Sequence, residues 1–283
     1  MRRSGAGASL GEARRDCQAH FAGAPPVRAL CCRDRRPGAR VQTLLLVHHS
    51  HTDLGYTDAQ ARVAAWQVAY LRAALAAAEA PGEPPFKWVC ETFWGVEQFL
   101  AAATPFERER FAAALRRGRL GLSASYFNFS ELIDAPLLTR LTERAVDYGR
   151  SIGLPVRCAM TADINGHGWG FAGVLTALGV ENLFCCVHTH HGRYPLARPQ
   201  QGFWWVAPSG ERLLVWSGEH YHFGNALGLA PGAISSYSIK DDCDAAMIFG
   251  EAWPVAERRI PRYLAALAAA GYTLPVVPLM VSG

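Results

Sequence analysis

Imidazoles and carboxylates gather at a few places in this chain. His51-Thr52-Asp53 follows the short apolar run Leu44-Leu45-Leu46-Val47. In an extended strand end, residues i and i+2 point the same way, so His51 and Asp53 suit one shared ion. Asp163-Ile164-Asn165-Gly166-His167 follows a second apolar run, and Gly166 and Gly168 permit a tight turn beside the carboxylate. Each cluster also has a plainer reading. The H-x-D can be a polar strand end capping the next helix, and Asp163 can close its strand through an Asx-turn.

The other polar groups repeat the pattern. Nine of the ten histidines follow apolar runs: His48, His49 and His51, then His167, then His188, His190 and His191, then His220 and His222. Glu91, Tyr126, Asn128 and Glu131 also follow such runs and suit recognition of sugar hydroxyls. Trp88, Phe93, Trp94, Tyr126, Trp169, Trp204 and Trp205 read as core, whereas Tyr56 directly follows the H-x-D turn and suits stacking on a ligand.

The elements that must position these groups alternate. Strands are predicted near 44–47, 87–90, 120–124, 157–162, 182–187 and 274–281. Helices are predicted near 59–80, 94–102, 107–117, 136–152, 171–178 and 255–270, the first capped by Asp58 and stopped by Pro81-Gly82. Residues 203–206 and 213–216 flank Pro208-Ser209-Gly210 and read as a hairpin. Alternating β and α units imply parallel strands with right-handed crossovers. The expected fold class is therefore α/β, a closed or nearly closed parallel β/α barrel, with the chemistry on loops at the C-terminal strand ends.

Composition narrows the function. Of 283 residues, half are hydrophobic and 18% are charged, enough apolar material for a large core. The net charge of +4 misleads, because residues 1–40 carry nine arginines against Glu12, Asp16 and Asp34. The remainder is mildly acidic, which argues against nucleic acid as the main partner. No apolar run is long enough for a membrane helix, and the N-terminus lacks the apolar stretch of a secretory signal, so a cytoplasmic location is expected. Residues 1–40 are expected to be a disordered leader or a misplaced start, and 41–283 the catalytic domain. The eight cysteines include no C-x-x-C and read as reduced.

At the level of motifs, the segment Val47-His48-His49-Ser50-His51-Thr52-Asp53-Leu54-Gly55-Tyr56 resembles the H-S-H-x-D-x-G-W opening of family 38 glycoside hydrolases, the α-mannosidases. Asp163-Ile164-Asn165-Gly166-His167-Gly168 resembles that family's D-x-x-G-H-S nucleophile motif, at a fitting separation of roughly a hundred residues. The resemblance implies a seven-stranded type of β/α barrel holding one divalent ion, usually zinc. His51 and Asp53 would be ligands, and Asp163 both ligand and nucleophile of a retaining mechanism on a mannoside or related glycoside. Tyr56 stands where the family has a sugar-stacking tryptophan. His167, His190 and His191 join Tyr56, Glu91, Asn128 and Glu131 as expected substrate contacts, His190 and His191 standing where the family has an arginine. The family's general acid and fourth ligand would lie beyond residue 283, so the barrel is expected to be incomplete at its C-terminus.

Two other functions are compatible with these residues. A metal-dependent carbohydrate deacetylase also gathers His and Asp at strand ends, but typically through an H-x-x-x-H pair that is absent here. A catalytically inactive carbohydrate-binding fragment is the other. The sequence leaves the oligomeric state open.

Overall fold

A computed structural model describes residues 41–129, 133–187, 198, 200–230, 239 and 253–282. The chain divides into two units, Met1–Ala39 and Arg40–Gly283, and every described residue lies in the second.

The described elements run in the order β1 (Thr43–His49), α1 (Gln60–Glu79), β2 (Trp88–Cys90), α2 (Phe93–Ala102), α3 (Pro105–Arg116), β3 (Leu120–Leu122), α4 (Ala135–Ser151), β4 (Cys158–Ile164) and α5 (Gly170–Ala177). There follow β5 (Asn182–Val187), β6 (Gln201–Val206), β7 (Arg212–Ser217), α6 (Phe223–Ala226), α7 (Trp253–Ala269) and β8 (Val276–Ser282). Local chemistry accounts for several boundaries. Thr104 and Glu107 form a capping box at α3, with Pro105 in the first turn, where its missing N–H costs nothing. Asp134 caps α4 by accepting from the Leu137 N–H at 2.8 Å. Asp58 falls short of the expected cap on α1. It accepts from the Ala59 N–H and pairs with Arg62, while Ala59 occupies the cap position.

The barrel expectation is corrected. Among the described residues the strands form three separate sheets: β1–β8, β2–β3 and β4–β5–β7–β6. Closure requires every strand to bond to both neighbours. Here β1 bonds only to β8, β2 and β3 are three residues each and bond only to one another, and β6 runs antiparallel to β7. The fold is mixed α/β with short sheets. The hairpin expectation holds: β6 and β7 pair across a turn in which the Ala207 N–H donates to the Glu211 carbonyl, with Gly210 in the left-handed region at φ 98°.

Two apolar clusters support the sheets. Leu71, Leu75, Phe93, Phe99, Phe111 and Leu115 pack around β2 and β3, with the Phe99 and Phe111 rings 4.9 Å apart. Leu175, Leu183, Leu213 and Val215 hold α5 against β5 and β7. Full burial of a phenylalanine of this kind contributes about 1.5–3 kcal/mol. The first strand differs from expectation. A continuous apolar run predicts burial on both faces, yet Leu45 and Leu46 are exposed. Trp169 and Trp204, expected in the core, are exposed as well. Among the described residues, no helix is long and apolar enough to cross a membrane.

Candidate active site

The parallel register of β1 with β8 ends at His49 opposite Ser282. The next turn of chain is anchored there, since the His51 N–H donates to Ser282 Oγ at 3.3 Å. Asp53 sits at the base of a tight turn: its N–H donates to Thr57 Oγ1 at 3.2 Å, and Gly55 takes φ 88°, a left-handed conformation that glycine adopts without a Cβ clash.

Asp163 arrives from β4. The β4–β5 register shifts between Thr161 and Ile164, and Asp163 itself has φ 52°. A bulge of this kind re-aims a side chain, and aspartate tolerates the left-handed region better than most residues, at a cost of roughly 1–2 kcal/mol. The result is that Asp163 meets His51. His51 Nε2 lies 3.5 Å from Asp53 Oδ1 and 3.7 Å from Asp163 Oδ2. One ligand atom from each of the three residues falls within 4.8 Å of the others.

The electrostatics match a cation site. Burial opposes charge on His51, but Asp53 and Glu91 outweigh it and raise its pKa to about 10. Burial likewise opposes charge on Glu91, and His49 and His51 overcome it, holding the carboxyl down at about 2. Three carboxylates thus converge on one imidazole. Its Nε2 is buried and makes no hydrogen bond among the described residues. A nitrogen facing two carboxylates is a nitrogen and oxygen donor set suited to a divalent ion.

Several expected substrate contacts take distinct places. Tyr56 is 90% exposed on the turn beyond Asp53. Glu91 is only 5% exposed. It accepts from His49 Nδ1, from His51 Nδ1 at 2.7 Å and from Asn128 Nδ2 at 2.5 Å. Asn128 in turn accepts the Ala162 N–H at 2.9 Å, one residue before Asp163. His167 folds back on its own strand, with Nε2 3.1 Å from Thr161 Oγ1 and its ring 4.6 Å from that of Phe171. Glu131, His190 and His191 lie outside the described residues.

Two residues went unassigned from sequence. His49 is fully buried behind Glu91, and its i, i+2 relation to His51 was the available signal. Tyr221 lays its ring 4.3 Å from that of His51, and nothing local in the sequence marks that contact.

Burial lowers the His167 pKa to about 4. Between that value and the ordinary 6.5 the unfolded chain binds more protons than the folded one, so stability falls as pH drops through this window and the loss levels off below it. His167→Gln keeps a hydrogen-bonding group but does not titrate. Urea midpoints for this variant should lose less between pH 7.5 and pH 4 than those of the wild type, by on the order of 3 kcal/mol. Parallel loss in both proteins refutes the assignment.

Comparison with known proteins shows the family of the chain. The family model described as "Glycosyl hydrolases family 38 N-terminal domain" matches residues 41–254. Among solved structures, an α-mannosidase from Enterococcus faecalis V583 is similar at TM-score 0.58 and 14% identity, covering 85% of this chain and 25% of that one. A family 38 glycosyl hydrolase from Enterococcus faecalis is similar at TM-score 0.56 and 12% identity, covering 86% and 24%. A 4-α-glucanotransferase from Thermococcus litoralis is similar at TM-score 0.51 and 14% identity, covering 86% and 33%. At these identities the likeness is one of fold. The chain spans about a quarter of the length of the two family 38 structures. No curated protein sequence matches it.

Proposed function

Because this chain belongs to glycosyl hydrolase family 38, through that family's N-terminal domain, we propose that it carries the metal and nucleophile residues of a retaining, α-mannosidase-like glycosidase. The observation that carries this reading is the meeting of His51, Asp53 and Asp163 at the mouths of β1 and β4.

In this reading His51 Nε2, Asp53 and Asp163 hold one divalent ion, most simply zinc. Such an ion, when bound, acts as a Lewis acid toward sugar hydroxyls and keeps adjacent carboxylates ionised. Asp163, 21% exposed in its side chain, presents a carboxylate oxygen to the anomeric carbon. The C1–O bond to the leaving group breaks as the bond to Asp163 forms, and the departing oxygen takes a proton from a second carboxylic acid. Water then attacks C1, gives a proton to the carboxylate left by that second acid, and frees Asp163 as the ester bond breaks. Tyr56 offers an aromatic face for a sugar ring on the solvent side of this centre. Mannosides are the first substrates to test, and related glycosides the next.

The test avoids dependence on a proton donor. Zn2+-loaded protein is incubated with an α-mannosyl fluoride bearing a second ring fluorine, whose fluoride departs without protonation while the adduct hydrolyses slowly. Peptide mass spectrometry should find one mannosyl ester, on Asp163. A label on another residue, or none on protein shown to hold zinc, refutes the nucleophile assignment.

A further inference from the structure

We infer that Glu91 is the positioning residue of this site: a buried carboxylate that ties the ends of β1, β2 and β4 together and sets which nitrogen of His51 faces the ion. The inference rests on the reading that His51, Asp53 and Asp163 hold a cation.

Its basis is a closed set of hydrogen bonds. One Glu91 oxygen, Oε2, faces His49 Nδ1. The other, Oε1, takes His51 Nδ1 at 2.7 Å and Asn128 Nδ2 at 2.5 Å. Three donors therefore occupy a carboxylate whose side chain is 4% exposed. So little of it is open to solvent that its work is mainly inward.

That work follows from imidazole chemistry. An ion that binds Nε2 displaces the proton there, and the carboxylate at Nδ1 keeps the remaining proton on Nδ1. Nε2 is the atom lying between Asp53 and Asp163. The Tyr221 ring, 4.3 Å away, packs against the imidazole, so the ring is held by contact as well as by hydrogen bond. The second arm reaches the nucleophile. Asn128 accepts the Ala162 N–H at 2.9 Å while donating to Glu91. One side-chain relay thus connects the orientation of His51 to the bulged turn that presents Asp163. His49, fully buried, fixes the far oxygen and keeps Glu91 from turning away.

The experiment measures Zn2+ dissociation constants of the full chain by competition with a chromophoric chelator, and the visible spectrum of the Co2+-loaded form. Circular dichroism and thermal melting report folding. Variants are Glu91→Gln, Glu91→Asp, His49→Gln and Asn128→Ala. Glu91→Gln should weaken Zn2+ binding about 10- to 100-fold and alter the Co2+ ligand-field bands, because an amide cannot accept equally from both imidazoles. Glu91→Asp keeps the charge and should recover part of the affinity. A folded Glu91→Gln protein with wild-type affinity and an unchanged Co2+ spectrum overturns the inference. Should Glu91→Gln fail to fold, His49→Gln and Asn128→Ala each remove one tether, and unchanged Zn2+ affinity in both overturns it equally. A wild-type chain that binds no Zn2+ overturns the cation reading itself, which is a separate failure.

Discussion

Asp163→Asn is expected to lower the turnover of an activated aryl α-mannoside by on the order of a thousandfold or more, with little change in the stability of the zinc-free protein. The two side chains have nearly the same shape, and asparagine also tolerates the left-handed φ of 52° that the turn imposes. The fold therefore loses little. The proposed chemistry would lose its nucleophile, because an amide oxygen is a poor attacking group at an anomeric carbon, and removal of a nucleophile is among the largest single effects known in enzyme kinetics. A dinitrophenyl leaving group needs no protonation, so the assay reads bond formation to the enzyme and not proton donation. Thermal melting without zinc and kcat with saturating zinc are measured together. Full turnover in a folded Asp163→Asn protein removes Asp163 from the mechanism.

Zinc is expected to stabilise the fold, and His51→Gln to abolish most of that stabilisation. At a thousand times its dissociation constant, an ion that binds only the folded state adds about 4 kcal/mol. For a domain of this size that is a rise in Tm of roughly 10 °C. The source is the concentration of negative charge around Asp53, Asp163 and Glu91, which an ion relieves and the unfolded chain does not present. His51 supplies the nitrogen at the centre of that group, so its loss leaves two carboxylates with no preorganised third ligand. Melting curves with and without Zn2+ for both proteins, with Ca2+ as a control for nonspecific charge, make the comparison. Equal zinc shifts in wild type and His51→Gln would locate the ion elsewhere.

Much of this was legible along the chain for a specific reason. Helices and strands are written in short-range patterns, so the hairpin turn at Pro208-Ser209-Gly210 and the alternation of β and α units appear where they were expected. The motifs around His51 and Asp163 are local as well, and they carry the family identity that the match over residues 41–254 establishes. Pattern could not reveal how strands join. Apolar runs at 44–47 and alternating units suggested a closed barrel, but sheet membership depends on hydrogen bonds between distant segments, and β1 found one neighbour where the pattern implied two. The same failing accounts for Leu45, Leu46 and Trp169, whose exposure follows from which layers cover them and not from their own hydrophobicity.

By itself, the sequence determined the residue types at the site and the local turns that carry them: an imidazole and a carboxylate two residues apart, and a second carboxylate at a strand end followed by glycines. Tertiary structure alone decided that these meet, through the bulge that turns Asp163 toward His51. It also decided that Glu91, which reads along the chain as a candidate sugar contact, lies buried behind the imidazole. The physical reason is range. Side-chain direction within a strand or turn is set by neighbours a few residues away, whereas the partner of a buried carboxylate is whichever donor the packing of separate strands brings within hydrogen-bond distance.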